Sequence, residues 1–383
     1  MIQEKSFYIE TYGCASNKAD SNIITTILIQ SDYVQRNLED AEFVIINTCA
    51  VKQQTENKIK SRLRSLYQEY RDVSDKFFVI AGCLPRISKD YMKLIPQTFP
   101  TFSAIIDLDT IDELPLIFDR IKSGAKNIIV NSDRNLDKAQ YMIKVPKGKI
   151  TGIVPISEGC EGSCTYCCVK NARGKLNCYD SQNILKNARN QLESGVKQLY
   201  LTSQDCSVYQ YNDSNLRDLV SGIVNLDFKF FLRIGMLNPR FLVSNLDQLL
   251  SIFTFNKVYH FLHIPIQSGS DQVLGKMKRP YSIAPIIEKI NLLRSRFPYL
   301  TISTDIICGF PGETETDFQK TTDLIHIIKP EILNISKFTI RPATKAKQME
   351  QLDSKIIKKR SILVSKIFRN SLLDMNEKWN DWR

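Results

Sequence analysis

Four cysteines fall within nine positions of SEGCEGSCTYCCVKNARG, residues 157–174. Cys160, Cys164 and Cys167 stand in C-x3-C-x2-C spacing, and Gly159 and Gly162 permit sharp turns between them. Thiolates are soft ligands that suit zinc or iron–sulfur clusters. A structural zinc site normally takes four ligands, most often as two spaced pairs. Cys168 is available as a fourth, but it projects away from its neighbour Cys167 and would strain a tetrahedron. Three thiolates on a cube-shaped cluster instead leave one iron open. S-adenosylmethionine can chelate that iron through its amino and carboxylate groups, and an electron from the cluster can then cleave the sulfonium. The competing reading is of small residues in a tight loop, without ligand function.

These residues need strands to present them. SFYIET (6–11), EFVIINT (42–48) and KFFVIAG (76–82) are short β-rich runs separated by helix-length stretches at 21–30 and 55–70. That alternation predicts a parallel sheet with crossover helices. Cys14, Cys49 and Cys83 each stand just beyond one of those strands, so a parallel sheet puts all three on one edge as a second three-cysteine site. Weaker strands follow at 104–107 and 127–130. The polar stretch NSDRNLDKAQ (131–140) leads into a linker, set at 136–149, that closes an N-terminal α/β domain of residues 1–135.

From 150 to 345 the alternation restarts, with strands expected at 152–156, 198–201, 228–234, 259–264, 301–307 and 332–338. The clearest helix is 180–192, closed by Gly195. Six βα units predict a partial (βα)6 barrel, with a flat doubly wound sheet as the alternative. Each strand ends in a polar or Gly/Pro-rich loop, the face where βα folds gather binding residues. Gln204, Asp205, Arg233, Gln267, Ser268, Asp305, Gly309 and Pro311 lie there and are candidates to hold S-adenosylmethionine. Cys168, Cys178, Cys206 and Cys308 read as small buried residues, and His260 and His263 receive no metal. Residues 346–383 read as a helical extension.

The chain has 383 residues and a formal net charge of +11, which favours an anionic partner, nucleic acid first. No run approaches the roughly 18 apolar residues of a membrane span, and the opening residues carry no signal-peptide pattern. Ten cysteines in a chain this long fit metal or redox chemistry better than a disulfide scaffold. A cytoplasmic monomer without membrane contact is expected.

The motifs also resemble those of a known family. CTYC (164–167), with Tyr166 between the last two ligands, is similar to the signature of radical S-adenosylmethionine enzymes. YGCASNKADS (12–21), NTC (47–49), AGC (81–83), HIPIQSGSDQVLGKMKR (263–279) and TDIICGFPGETETDF (304–318) resemble the methylthiotransferases among them. The resemblance extends over residues 5–370. It implies two [4Fe-4S] clusters, one held by Cys160, Cys164 and Cys167, the other, auxiliary, by Cys14, Cys49 and Cys83. It implies two S-adenosylmethionine molecules, one giving the methyl group and one a 5′-deoxyadenosyl radical. Tyr166 joins the cofactor-binding candidates. An external sulfur source and an electron donor, a reductase or a flavodoxin- or ferredoxin-type protein, are implied partners.

KNARGKL (170–176), YLTSQD (200–205) and RIGMLNP (233–239) resemble the archaeal and eukaryotic branch that acts on threonylcarbamoyladenosine at position 37 of tRNA. The tRNA anticodon stem-loop is then the partner, and Lys170, Arg173 and Lys175 are substrate-binding candidates. Isopentenyladenosine-37 or a ribosomal-protein aspartate are alternative substrates, and an RNA-binding module with structural metal is the alternative of another class. A terminal RNA-binding β-barrel is expected to be absent. Trp379 and Trp382 cover exposed surface or stack on RNA.

Overall fold

The computed structural model describes residues 5–132, 134–146 and 148–376, so Trp379 and Trp382 lie outside the described residues. Two compact units divide the chain. The first comprises residues 1–161, 168–204 and 228–230; the second comprises 162–167, 205–227 and 231–383.

The first unit opens with β1 (Ser6–Thr11), α1 (Ala15–Gln30), β2 (Val34–Gln35), β3 (Phe43–Thr48), α2 (Gln53–Tyr70), β4 (Phe77–Gly82), α3 (Lys89–Thr98), β5 (Ala104–Ile106), α4 (Leu114–Lys122) and β6 (Ile128–Val130). These six strands form one parallel sheet in the order β2-β1-β3-β4-β5-β6. All of β3 is buried, and its alternate residues serve two cores. Phe43 and Ile45 pack with α1 and α4, while Val44 and Ile46 pack with α2 and α3. Burial on both faces is why β3 reads as a continuous apolar run. The two-residue edge strand β2 gave no sequence pattern, having both residues exposed.

The same unit continues with β7 (Thr151–Pro155), β8 (Ser157–Glu158), α5 (Val169–Arg173), β9 (Asn177–Cys178), α6 (Ser181–Glu193) and β10 (Gln198–Thr202). β7 and β10 pair in parallel around the crossover α6, whose N-cap Asp180 accepts from the Gln182 and Asn183 amides. The stretch expected as the linker packs against α6. Leu136, Ala139 and Ile143 are buried, and Asn187 and Asn190 of α6 donate to the carbonyls of Ala139, Tyr141 and Ile143. Its polar sequence is explained by a buried lysine, Lys138, described below.

The second unit holds β11 (Gln210–Tyr211), β12 (Ser214–Asn215), α7 (Leu216–Val224), β13 (Phe231–Arg233), α8 (Pro239–Ser244), α9 (Leu246–Phe253), β14 (Phe261–His263), α10 (Asp271–Lys276), α11 (Ile283–Arg296), β15 (Thr301–Cys308), α12 (Glu315–Ile328), β16 (Ile332–Lys337) and α13 (Ser354–Asn376). β14, β15 and β16 form a parallel sheet in that order. Capping boxes open α7 at Asn215 with Asp218 and α12 at Thr314 with Asp317. Counted along the chain, β7, β10, β13, β14, β15 and β16 are each followed by helix, the six βα units of the expected partial barrel.

Candidate cluster and cofactor site

Register brings the first three cysteines together. Thr11 stands opposite Asn47 and Thr48 opposite Gly82, so β1, β3 and β4 end at one level of the sheet. Cys49 and Cys83 follow their strands at once and are buried; Cys14 is exposed and is the N-cap residue of α1. Two glycines make the approach possible. Gly13 sits at φ 116°, and a Cβ there would lie 2.7 Å from Cys49 Cβ and 2.8 Å from its Sγ. Gly82 sits at φ 97°, where a Cβ would meet the Thr48 carbonyl at 2.3 Å. Asn17, one turn into α1, accepts from Cys14 Sγ at 3.4 Å and donates to the Thr48 carbonyl at 2.9 Å. Burial pushes the Cys83 thiol up to about 12, with Arg173 opposing the shift, and burial raises Cys49 as well.

The donor set can be tested against the group it would hold. Cys14, Cys49 and Cys83 are three soft thiol donors at one sheet edge, a donor chemistry that suits an iron–sulfur cluster.

Arg173 corrects an expectation. Read as a substrate-facing cation, it is buried, and its guanidinium is committed. Nη1 donates to Glu158 at 2.7 Å, Nη2 to Asp20 at 2.7 Å and Nε to Cys83 Sγ at 3.2 Å. Lys138 completes the set, paired with Asp20 at 3.2 Å and with Glu158. Burial alone would raise the Glu158 carboxyl, but Lys138 and Arg173 outweigh it and hold it below its ordinary range. Lys170 is half-buried and donates to the Glu161 carbonyl, while Lys175 is exposed.

In the first unit Cys160 donates its N–H to the Gly174 carbonyl at 3.4 Å. Gly159, at φ 79°, presses so close to the returning chain that a Cβ would lie 1.9 Å from the Lys175 carbonyl. Gln204 accepts from the Gly159 N–H at 2.7 Å and donates to Ser16 at 3.3 Å, so it braces this loop. In the second unit the Cys167 N–H donates to the Cys164 carbonyl, and Thr165 is pinned by the Met277 and Lys276 carbonyls and the Ala346 amide. Tyr166 packs edge-on against Phe310, 6.4 Å between centroids.

The remaining cofactor candidates also lie in the second unit. Asp205 caps a short turn, accepting from the Ser207 and Asn238 amides. Arg233 lies over the Phe261 ring at 3.9 Å. Gln267, at φ 78°, exchanges backbone bonds with Asp305 and Ile307. Ser268 bonds Thr321, and Asp305 pairs with His263 Nε2 at 3.2 Å. Gly309, at φ 77°, donates to Glu313, and Pro311 is buried beside it. Cys168, Cys206 and Cys308 are buried as expected, but Cys178 is half-buried.

Comparison with known proteins places this arrangement. The model of the uncharacterized protein family UPF0004 matches residues 6–102, and that of the radical SAM superfamily matches 154–325. A probable threonylcarbamoyladenosine tRNA methylthiotransferase of Pyrococcus horikoshii is 36% identical over 97% of this chain and 86% of that protein. The chain belongs to the threonylcarbamoyladenosine tRNA methylthiotransferase family. The human threonylcarbamoyladenosine tRNA methylthiotransferase is 33% identical over 96% of this chain and 63% of that protein. In fold, a radical S-adenosylmethionine methyltransferase of Kitasatospora setae superimposes with a TM-score of 0.65 at 12% identity, covering 90% of this chain and 75% of that one. This methylthiotransferase is therefore a radical SAM transferase that uses S-adenosylmethionine and an iron–sulfur cluster. No helix among its described residues is long and apolar enough to cross a membrane.

The methylthiotransferase carries functional candidates that sequence reasoning missed. Asp20 lies inside the YGCASNKADS motif, where only the cysteine drew attention. Lys138 lies in the polar stretch read as leading into a linker. Arg279 closes HIPIQSGSDQVLGKMKR, and its Nη1 lies 3.5 Å from Cys164 Sγ.

Proposed function

We propose that this chain converts N6-threonylcarbamoyladenosine at position 37 of tRNA into its 2-methylthio derivative, using two S-adenosylmethionine molecules and two [4Fe-4S] clusters. The observation that carries this reading is the match along 97% of the chain to a protein named for that nucleoside. In this reading Cys14, Cys49 and Cys83 hold the auxiliary cluster, and Cys160, Cys164 and Cys167 hold the cluster that binds S-adenosylmethionine. The bound groups supply the electron, the radical and the sulfur chemistry.

The protein's own residues do the positioning. Gly13, Gly82 and Asn17 shape the first thiol set, and Gln204 with Gly159 shapes the approach to Cys160. Tyr166, Gln204, Asp205, Arg233, Gln267, Ser268, Asp305 and the turn at 309–311 are the cofactor contacts in this reading. Lys175 and Lys170 are the cations assigned to the anticodon stem-loop and to the carboxylate of the modified base, a charge-assisted contact that an isopentenyl group could not use. A sulfur donor and a one-electron donor protein complete the system, and the functional division follows residues 1–135, 150–345 and 346–383.

Anaerobic reconstitution tests the clusters, with about eight iron and eight sulfide expected per chain, four of each per cubane. Replacing Cys160, Cys164 and Cys167 with alanine abolishes S-adenosylmethionine cleavage. Replacing Cys14, Cys49 and Cys83 leaves cleavage and stops sulfur insertion. Stoichiometric zinc without sulfide overturns the cluster assignment. Nucleoside mass analysis after incubation with tRNA carrying either modification tests the substrate; product only from isopentenyladenosine, or only on a ribosomal-protein aspartate, overturns it.

A further inference from the structure

Two arginines each donate to a cysteine sulfur, and their surroundings differ in charge. Arg173, in the first unit, meets Cys83 while bound to Asp20 and Glu158, and Lys138 makes that buried set neutral overall. Arg279, in the second unit, is 9% exposed and meets Cys164 Sγ through Nη1 at 3.5 Å. Its Nη2 donates to the Pro265 carbonyl and its Nε to the Tyr281 hydroxyl, both at 2.9 Å. None of those partners is a carboxylate. The hydroxyl of Tyr281 is itself tied to the Ile266 carbonyl at 2.8 Å, so the guanidinium is held in place by neutral groups.

We propose that Arg279 is a positioning residue that raises the reduction potential of the cluster held at Cys164. The inference rests on the cluster assignment above. Reduction adds one electron to the cluster, and a fixed, uncompensated cation with an N–H···S bond to a ligand favours the more negative form. Net charge, hydrogen bonds to sulfur and solvent exposure are what set iron–sulfur potentials. Arg173 offers its sulfur the same kind of bond without net charge, so the two sites are tuned by different means. The consequence for the reaction is that the cluster which must deliver an electron to S-adenosylmethionine is reducible by a weaker donor than the thiolates alone would allow.

The test is an anaerobic redox titration followed by electron paramagnetic resonance. It uses the full chain with Cys14, Cys49 and Cys83 replaced by alanine, so that one cluster titrates. Arg279→Gln is expected to cut the reduced-to-oxidised ratio at the parent midpoint at least tenfold, 59 mV for a one-electron step. Arg279→Lys, which keeps the charge, shifts less. Tyr281→Glu sets a carboxylate beside an intact Arg279, as Glu158 stands beside Arg173, and lowers the midpoint too; it decides the matter if Arg279→Gln fails to load. Unshifted midpoints with iron and sulfide at parent levels, or Arg279→Lys falling as far as Arg279→Gln, overturn the role of Arg279 alone. A parent protein that takes up neither iron nor sulfide overturns the cluster assignment and this role with it.

Discussion

Replacing Lys138 with methionine tests whether the buried charges hold the first unit together. The four side chains Lys138, Arg173, Asp20 and Glu158 are at most 7% exposed and balance two positive charges against two negative. Lys138→Met keeps the aliphatic bulk but strands one negative charge among buried groups. Removing one partner of a buried pair costs about 3–5 kcal/mol, because the remaining charge loses its compensation. For a unit of this size that is a loss of roughly 6–20 °C in its thermal transition. Calorimetry must follow the first unit's own transition, since two compact units need not melt as one. The pH dependence carries its own signature. Glu158 is held below its ordinary 4.5, so its contribution is present above that pH and is lost as pH falls below it. Lys138 is raised above its ordinary 10.5 by Asp20 and Glu158 against the effect of burial, so its contribution is present below that pH and is lost on going higher. The gap between parent and variant is therefore widest between those limits and narrows in acid as Glu158 protonates. Adding Glu158→Gln restores charge balance and recovers most of the loss. A single variant within about 1 kcal/mol of the parent at neutral pH, or a double variant less stable than the single, refutes the argument.

Gly13→Ala forces a side chain into a left-handed position already facing Cys49, a backbone cost of about 1–3 kcal/mol before the clash; iron analysis should show loss confined to the auxiliary site. Gly159→Ala should do the converse, since its Cβ would drive the loop off the Lys175 carbonyl and displace Cys160; electron paramagnetic resonance of the remaining cluster checks it. In cluster-free protein, iodoacetamide should label Cys14 well before Cys49 and Cys83, because only Cys14 is exposed. Peptide mass spectrometry reads the order, and equal rates would contradict the described burial.

The first sheet was legible because its strands carry their burial in their composition: β3 and β4 are apolar on both faces, as only a covered parallel strand can be. α1 was placed too late. It was expected from Ser21, but it starts at Ala15, because its first two turns bury Asn17 and Asp20 and so lack the apolar periodicity that marks a helix. β13 was expected over seven residues and spans only Phe231–Arg233. Residues 228–230 before it include two phenylalanines yet lie outside the strand, a difference decided by neighbours distant in sequence.

The shared sheet edge of Cys14, Cys49 and Cys83 was legible because each follows a strand of one parallel sheet, whereas charged residues are common and usually solvated. Arg173 was accordingly read as a substrate-facing cation, and Lys138 fell within the linker. What distinguishes them is partners at separations of 153 and 118 residues from Asp20, a relation that no local window contains. The same network explains why Arg173 can stand beside Cys83 at all. A lone guanidinium there would bear the full cost of desolvation; with Asp20 and Glu158 on its two other faces it can offer Nε to the sulfur while both Nη groups remain satisfied. A cation close to the Cys83 thiol is thus obtained without an unpaired buried charge, and the three motif fragments that supply Asp20, Glu158 and Arg173 have a physical reason to occur in one chain.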